Sequence, residues 1–292
     1  MSRTINWIQI RASGPGVLAF AGLLLAGCAQ QPTAPAAAAP APAPSASAPA
    51  ASSPPAAAPK AAAQTIDPAI IETLDRMGNY LRSLKSFELQ TASYTDTVLD
   101  GDQLAQFTRW STLKVRRPDA LRADIRDDGG DNKILYLNGK TATIFDPSTK
   151  LYAQMNAPGT LADTAKLLAD RYGIELPVAD LFYWDSNKTD MSTIKSADFM
   201  GYAYVDGKMT THFLLRQADV DWQIWVERGA SPLPRKLVIT STSEAARPQH
   251  SVMLRWNLSP KIAASDFEFK APPGAHRIVI QTADGKVEKP AN

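Results

Sequence analysis

Cysteine is nearly absent from this chain: Cys28 is the only one among 292 residues, and histidine occurs three times. A single Cys leaves no partner for an internal disulfide, so the fold must be stabilised without covalent cross-links. His212, His250 and His276 are far apart in the sequence, and neither a His-x-x-x-His motif nor a cysteine cluster offers metal-ligand spacing. A Gly-x-Ser-x-Gly elbow and a phosphate-binding loop are missing too. We therefore expect neither an enzyme nor a protein that holds a metal or a cofactor.

An excess of charge is missing as well. The chain has 31 basic and 29 acidic side chains, and without Arg3 and Arg11 near its start the basic ones fall to 29. Proteins that bind nucleic acids usually carry a basic surplus that attracts phosphates. The balanced charge therefore argues against a nucleic acid as a partner.

The N-terminus has the anatomy of a signal peptide. Two Arg and no acidic residue precede Val17–Leu25, a short apolar segment. This segment is shorter than the about 20 apolar residues that a membrane-spanning helix needs. It ends in Leu25-Ala26-Gly27-Cys28, which resembles the lipobox of bacterial lipoproteins, where the Cys is acylated and becomes the first residue after cleavage. We predict a signal peptide at residues 1–27 and lipidation at Cys28; the alternative is an ordinary signal peptide with an incidental Cys.

Ala, Pro and Ser make up nearly all of residues 28–65, where Lys60 is the only charged residue and no aromatic residue occurs. Such a segment cannot bury enough apolar surface to offset the entropy of ordering, so we predict a disordered tether. At about 3.1 Å per residue, a Pro-rich chain of this length reaches up to roughly 100 Å.

Ala29 follows the Cys in place of the Asp that commonly retains lipoproteins at the inner membrane. The resemblance therefore implies the outer membrane, with the protein facing the periplasm.

The folded part is predicted at residues 66–280, a length that suits one domain, with a polar tail at 281–292. Asp67-Pro68 is typical of an N-cap and a first helical residue. Apolar residues then recur at helical spacing and predict one amphipathic helix. These residues are Ile70, Ile71, Leu74, Met77, Leu81 and Leu84.

Strand patterns fill most of the remaining domain, on either side of a helical insert. The predicted strands are Phe87–Leu99, Leu104–Val115, Ala120–Arg126, Ile134–Leu137, Thr141–Phe145, Leu151–Met155, Phe199–Val205, Met209–Arg216, Trp222–Glu227, Leu237–Thr242 and Ser251–Leu258. The insert consists of a helix over Leu161–Tyr172, capped by Thr160, and a short helical piece over Pro177–Trp184. A sheet this large buries one face only if it curls or is covered. The pattern predicts an α+β fold, mainly antiparallel β, with helices across the concave side of a curved sheet or incomplete barrel.

Several motifs follow one another along the domain. They are Leu113–Asp124 with Arg117-Pro118 at its centre, Asn138-Gly139, Asp146-Pro147, Asp221–Val226, Pro232–Ile239, Asp266–Phe269 and Pro272–Ala275. The first three resemble the LolA/LolB lipoprotein-carrier superfamily, and the others are similar to an uncharacterised family of predicted periplasmic proteins related to it. The resemblance implies a bacterial lipoprotein with a LolA-like half-barrel, a helical lid and a hydrophobic cavity for acyl chains.

Aromatic residues are the candidates for lining such a cavity, and each of them either lines it or fills the core. The candidate cavity residues are Trp110, Phe145, Phe182, Tyr183, Trp184, Trp222 and Trp256. Three consecutive aromatic residues at 182–184 cannot all face one core, so we expect them in the lid.

These features predict a membrane-anchored periplasmic lipoprotein that binds a lipid, or the acyl chains of a lipoprotein, between sheet and helices. Such a protein would be a carrier or acceptor in envelope lipid or lipoprotein trafficking. Its partners would be the membrane, through the lipid anchor, and a hydrophobic ligand or acylated protein; we expect a monomer. The alternative is an envelope protein-interaction or sensor module that binds a protein on the concave face of the same fold.

Replacement of the acylated residue tests the anchor. Cys28→Ala removes the only thiol to which a lipid can be attached, so we expect acyl labelling and retention in the membrane fraction to be lost. Metabolic labelling with an acyl precursor and cell fractionation measure the two effects. Cys28→Ala protein that still fractionates with membranes would contradict the anchor.

Overall fold

The computed structural model of the chain describes residues 66–157, 159–179 and 193–283. The predicted signal peptide at 1–27, the lipidation site Cys28, the tether at 28–65, the aromatic residues at 182–184 and the tail beyond 283 lie outside the described residues. The helices are α1 Pro68–Ser83 and α2 Leu161–Tyr172. The strands are β1 Ser86–Val98, β2 Leu104–Arg116, β3 Ala120–Asp127, β4 Asn132–Asn138, β5 Thr141–Asp146, β6 Leu151–Asn156, β7 Ser196–Val205, β8 Lys208–Arg216, β9 Val220–Glu227, β10 Pro234–Ser241, β11 Gln249–Asn257 and β12 His276–Arg277.

Helix α1 begins where the sequence predicts it. The Asp67 side chain accepts a hydrogen bond from the backbone N–H of Ala69, 2.9 Å away, and Pro68 occupies the first helical turn. The residues at helical spacing form one buried stripe, made of Ile70, Leu74, Met77 and Leu81. This stripe packs into the core, as expected for an amphipathic helix that covers a sheet.

Helix α2 also has the predicted bounds. The Thr160 hydroxyl accepts the N–H of Asp163 at its start, and Gly173 ends it in the left-handed conformation, with φ of 66°. Of the second predicted helical piece, residues 177–179 form a turn and the rest lies outside the described residues. In the described part of the chain, no helix combines the length and the apolar character needed to cross a membrane.

The twelve strands form one sheet in the order β12-β6-β5-β4-β3-β2-β1-β11-β10-β9-β8-β7. Neighbouring strands are antiparallel, except that β12 and β6 are parallel. Strands β1 to β6 form one meander and β7 to β11 form a second, and the two meanders are joined where β1 pairs with β11. Strands β7 and β12 are the two edges of an open sheet. The predicted α+β fold, mainly antiparallel and incompletely closed, is confirmed. Strand β12 was not predicted, because two residues are too few for a period-2 pattern.

One face of the sheet, which we call the inner face, carries both helices. Alternate residues along its strands are buried in a single cluster with the apolar stripes of α1 and α2. The strand residues of this cluster include Phe87, Leu89, Leu113, Val115, Leu121, Leu137, Phe213, Leu215, Ile224 and Leu254. The core of the domain therefore lies between the inner face and the helices.

The C-terminal segment covers part of the opposite, outer face, and we call residues 264–277 the C-terminal strap. It begins with a 3-10 helix at Ala264–Phe267 and ends beside β6 as β12. The Phe267 side chain is fully buried, and the Arg116 guanidinium lies 4.8 Å from the centre of its ring. Phe269 then packs on three rings of the outer face at centroid distances of 4.9 to 5.5 Å; they belong to Tyr136, Phe145 and Tyr152.

The strap should contribute strongly to stability. Phe267→Ala empties a fully buried site, and truncation of a buried Phe usually costs about 3–5 kcal/mol. We expect the midpoint of urea unfolding to fall at an unchanged slope. Phe107→Ala is the matched control, because the Phe107 side chain is 52% exposed and its loss should change the midpoint little. Equal midpoints for the two variants would show that the strap is not part of the stable fold.

Candidate functional site

The predicted cavity residues divide between the two faces of the sheet. Trp222 on β9 and Trp256 on β11 lie on the inner face and pack into the core cluster. Trp110 on β2 and Phe145 on β5 lie on the outer face, because they alternate with the core-facing residues of their strands. Phe182, Tyr183 and Trp184 are outside the described residues.

The two inner-face Trp side chains are not neighbours. Through Ile239 on β10, Trp222 is level with His250 of β11. Trp256 lies six residues beyond His250 on β11, opposite Leu89 of β1. Six residues of a strand span roughly 20 Å. The Trp256 ring packs 5.2 Å from that of Phe87, and its Nε1 donates to the Pro234 carbonyl at 2.8 Å. Trp256 therefore fills the core at one end of the sheet.

On the outer face, Phe145 packs against Phe269 of the C-terminal strap. Trp110 lies apart from the strap and is 49% exposed. Its register partners are Ala92 on β1 and Arg126 on β3. The structure does not bring these two aromatic residues to the face that the helices cover.

The inner face changes character along β1 and β2. Toward the helices it is apolar and fully buried, as at Leu89 and Leu113. Toward the β1–β2 turn, the inner-face residues of these strands become polar or exposed. We call this part the open end of the inner face; its residues are Ser93, Thr95, Phe107, Arg109 and His250. It is a boundary at which an apolar chain and a polar group can be contacted together.

His250 is the titratable residue of the open end. Its Nδ1 lies 2.8 Å from the Thr95 Oγ1. Burial, together with the positive charge of Arg109, lowers the pKa of His250 to about 4. The imidazole is therefore neutral at pH 7.

The other two histidines lie elsewhere in the fold. His212 stacks on Trp225 at a centroid distance of 3.9 Å on the outer face, and its Nε2 lies 3.0 Å from Gln223. His276 is exposed in β12, at one edge of the sheet. Within residues 66–157, 159–179 and 193–283, no group of His, Cys, Asp and Glu side chains could hold a metal ion.

A second opening of the inner face lies at edge strand β7, where an aromatic path leads from the core to the surface. The buried Phe213 ring is 6.3 Å from that of Phe199, which is 5.2 Å from that of Tyr202. Phe199 is 49% exposed, Tyr202 62% and Tyr204 71%. The Arg228 guanidinium lies 4.2 Å from the centre of the Tyr202 ring.

Sequence reasoning did not select these aromatic residues of β7. Phe199 and Tyr202 are three residues apart, which in a regular strand would put them on opposite faces. A bulge at Met200 shifts the register and returns both to the inner face. Their aromatic character was visible in the sequence, but the bulge was not.

A family of sequences described as Predicted periplasmic protein (DUF2092) matches residues 71–281. Among solved structures, the lipoprotein LppX of Mycobacterium tuberculosis is 14% identical, with a TM-score of 0.43, covering 68% of this chain and 100% of its own. A LolA superfamily protein from Nitrosomonas europaea is 12% identical, with a TM-score of 0.30. The match covers 70% of this chain and 99% of that protein. MucB, in a complex with MucA(peri), is 14% identical, with a TM-score of 0.34. The match covers 69% of this chain and 60% of the MucB chain.

No curated protein matches the sequence.

The partly buried His250 predicts a pH dependence of stability. Its pKa is about 4 in the folded chain against 6.5 for an ordinary His, so below pH 6.5 the unfolded chain binds more protons and stability falls. The loss grows between pH 6.5 and 4 and reaches on the order of 3 kcal/mol. Urea unfolding at pH 7 and at pH 4.5 should show that the free energy of unfolding falls less for His250→Gln than for the wild type. His276→Gln, which changes an exposed His, is the control and should behave as the wild type; an unchanged loss in His250→Gln would contradict the assignment.

Proposed function

This chain belongs to the family described as Predicted periplasmic protein (DUF2092), and we propose that it is an envelope lipoprotein whose domain binds a hydrophobic ligand. The ligand is a lipid or the acyl chains of a lipoprotein. It lies against the inner face of the sheet, beside the two helices. The protein acts as a carrier or acceptor in lipid or lipoprotein trafficking.

The observation that supports this function is the aromatic path of β7. Phe199 and Tyr202 extend the apolar core to the surface at an edge where the sheet is open. Exposed aromatic area of this kind is unfavourable in water, and its burial by an apolar chain yields about 25 cal/mol per Å². An acyl chain that entered along this path would reach the buried Phe213. Binding is non-covalent, and the protein is a monomer that performs no catalysis.

The N-terminal sequence supports the cellular location. Acylation of Cys28 would anchor the chain in a membrane, and Ala29 beside it favours the outer membrane. The segment at 28–65 then acts as a tether that lets the domain work at a distance from the bilayer. An anchored binding domain can receive a ligand on one side of the periplasm and release it near its own membrane.

Ligand uptake tests the proposal. The full chain carrying Cys28→Ala, purified without detergent, should take up a fluorescent fatty acid and should carry lipid in native mass spectrometry. Phe199→Ser combined with Tyr202→Ser should weaken uptake about tenfold or more, because two apolar contacts at the entrance are lost. Trp110→Ser is the control, since Trp110 is as exposed as Phe199 but lies on the outer face. A wild-type domain that neither carries lipid nor takes up the probe would overturn the proposal.

The same edge strand favours a second candidate, an envelope protein-interaction or sensor module. β7 pairs with β8 on one side only, and an open strand with exposed alternating side chains can accept an extended peptide of a partner. Crosslinking in cells from position 204 distinguishes the two functions. A lipid-free domain with one specific crosslinked protein at this edge would favour the second.

A further inference from the structure

Arg109 occupies an unusual position on β2. It lies on the inner face between the buried Ser111, toward the core, and the exposed Phe107, toward the β1–β2 turn. Its side chain is partly buried. A guanidinium in such a place needs an acceptor, because it has lost part of its water shell.

The described part of the chain gives Arg109 no carboxylate within 4 Å. Asp127 is its register partner on β3, but the Asp127 Oδ1 accepts the N–H of Asp131 at 2.9 Å in the β3–β4 turn. Asp131 in turn forms an ion pair with Lys133 at 2.8 Å. One oxygen of the Asp127 carboxylate and the Asp131 carboxylate thus have partners within the turn.

Other arginines of the domain differ in this respect. Each of a set of five has a carboxylate oxygen within 4 Å. The set consists of Arg122, Arg216, Arg235, Arg247 and Arg255. Arg109 is therefore a partly buried arginine of the inner face for which the described residues supply no carboxylate partner.

The neighbours of Arg109 on the β1 side are hydrogen-bonding groups without negative charge. Ser93 is its register partner on β1, and its Oγ donates to the Arg109 carbonyl at 3.3 Å. Thr95, one inner-face position further along β1, lies beside His250. Diagonal neighbours on a sheet are about 7–8 Å apart, within the reach of an Arg side chain. A small anion could be held between the Arg109 guanidinium and the Thr95 hydroxyl.

We propose that Arg109, assisted by Thr95, binds the anionic head group of a single-chain amphiphile whose apolar chain lies along the inner face. The head group is a carboxylate or a phosphate monoester, both of which match the planar guanidinium. The inference rests on the proposed binding of a hydrophobic ligand and adds the chemical class of that ligand. The effect of Arg109 on the pKa of His250 is consistent with a positive potential at this place.

Three ligands of equal chain length test the head group. Hexadecanoate, hexadecyl phosphate and hexadecanol compete with a fluorescent fatty acid for the full chain carrying Cys28→Ala, below their aggregation concentrations. The wild-type domain should bind the better of the two anions about tenfold or more tightly than the alcohol, the usual effect of a charge-assisted hydrogen bond. The order of the two anions then tells a carboxylate site from a phosphate site.

Arg109→Gln should abolish this preference while leaving the affinity for hexadecanol unchanged, which also shows that the variant is folded. Arg126→Gln is the matched control, because Arg126 lies on the neighbouring strand β3 but is exposed on the outer face. It should retain the preference for the anionic ligands.

In NMR titrations, an anion bound to the wild type should raise the pKa of His250, and hexadecanol should not.

The outcomes separate the two proposals. Equal affinities of the wild type for all three ligands would overturn the head-group site and leave the hydrophobic-ligand function intact. A preference that survives in Arg109→Gln, or is lost equally in Arg126→Gln, would also overturn the site, since the charge at Arg109 would not be its cause. Failure of the wild type to bind any of the three ligands would overturn the proposed function itself.

Discussion

The fold depends on the cover of a twelve-stranded sheet that does not close. An open antiparallel sheet of this size has two large faces, and at least one of them must be buried against a cover. The helices α1 and α2 cover the inner face with apolar stripes, while the C-terminal strap covers the outer face of β2 to β6. Without a disulfide, this double cover has to be achieved by side-chain packing alone.

The other half of the outer face, on β8 to β11, is covered by its own side chains. Trp225 is buried there between the stacked ring of His212 and the ammonium group of Lys236, 4.7 Å from the centre of its ring. Ion pairs lie around it: Arg235 with Glu227, and Arg255 with Asp206. The inner face of this half ends in exposed aromatic rings, so the apolar surface left uncovered is concentrated where the sheet is open.

Much of the architecture could be predicted, because helix and strand periods are local properties of the sequence. The bounds of α2 follow from Thr160 and Gly173, and the first helix from Asp67-Pro68. The face on which an aromatic side chain lies is not local. Phe145 is buried on the outer face because Phe269, more than one hundred positions later, packs on it. The site was accordingly harder to predict than the fold. Trp110 and Phe145 fall on the outer face, and neither Arg109 nor His250 was among the predicted cavity residues.

The pairing of β1 with β11 has a consequence for biogenesis. These strands are adjacent at the middle of the sheet, yet more than 150 positions separate them along the chain, so the two halves cannot be joined until nearly all of the chain is available. The strap comes later still. A polypeptide delivered through a translocation channel from its N-terminus would therefore stay incomplete until its last residues emerge. Such a chain would acquire its final shape only on the far side of the membrane.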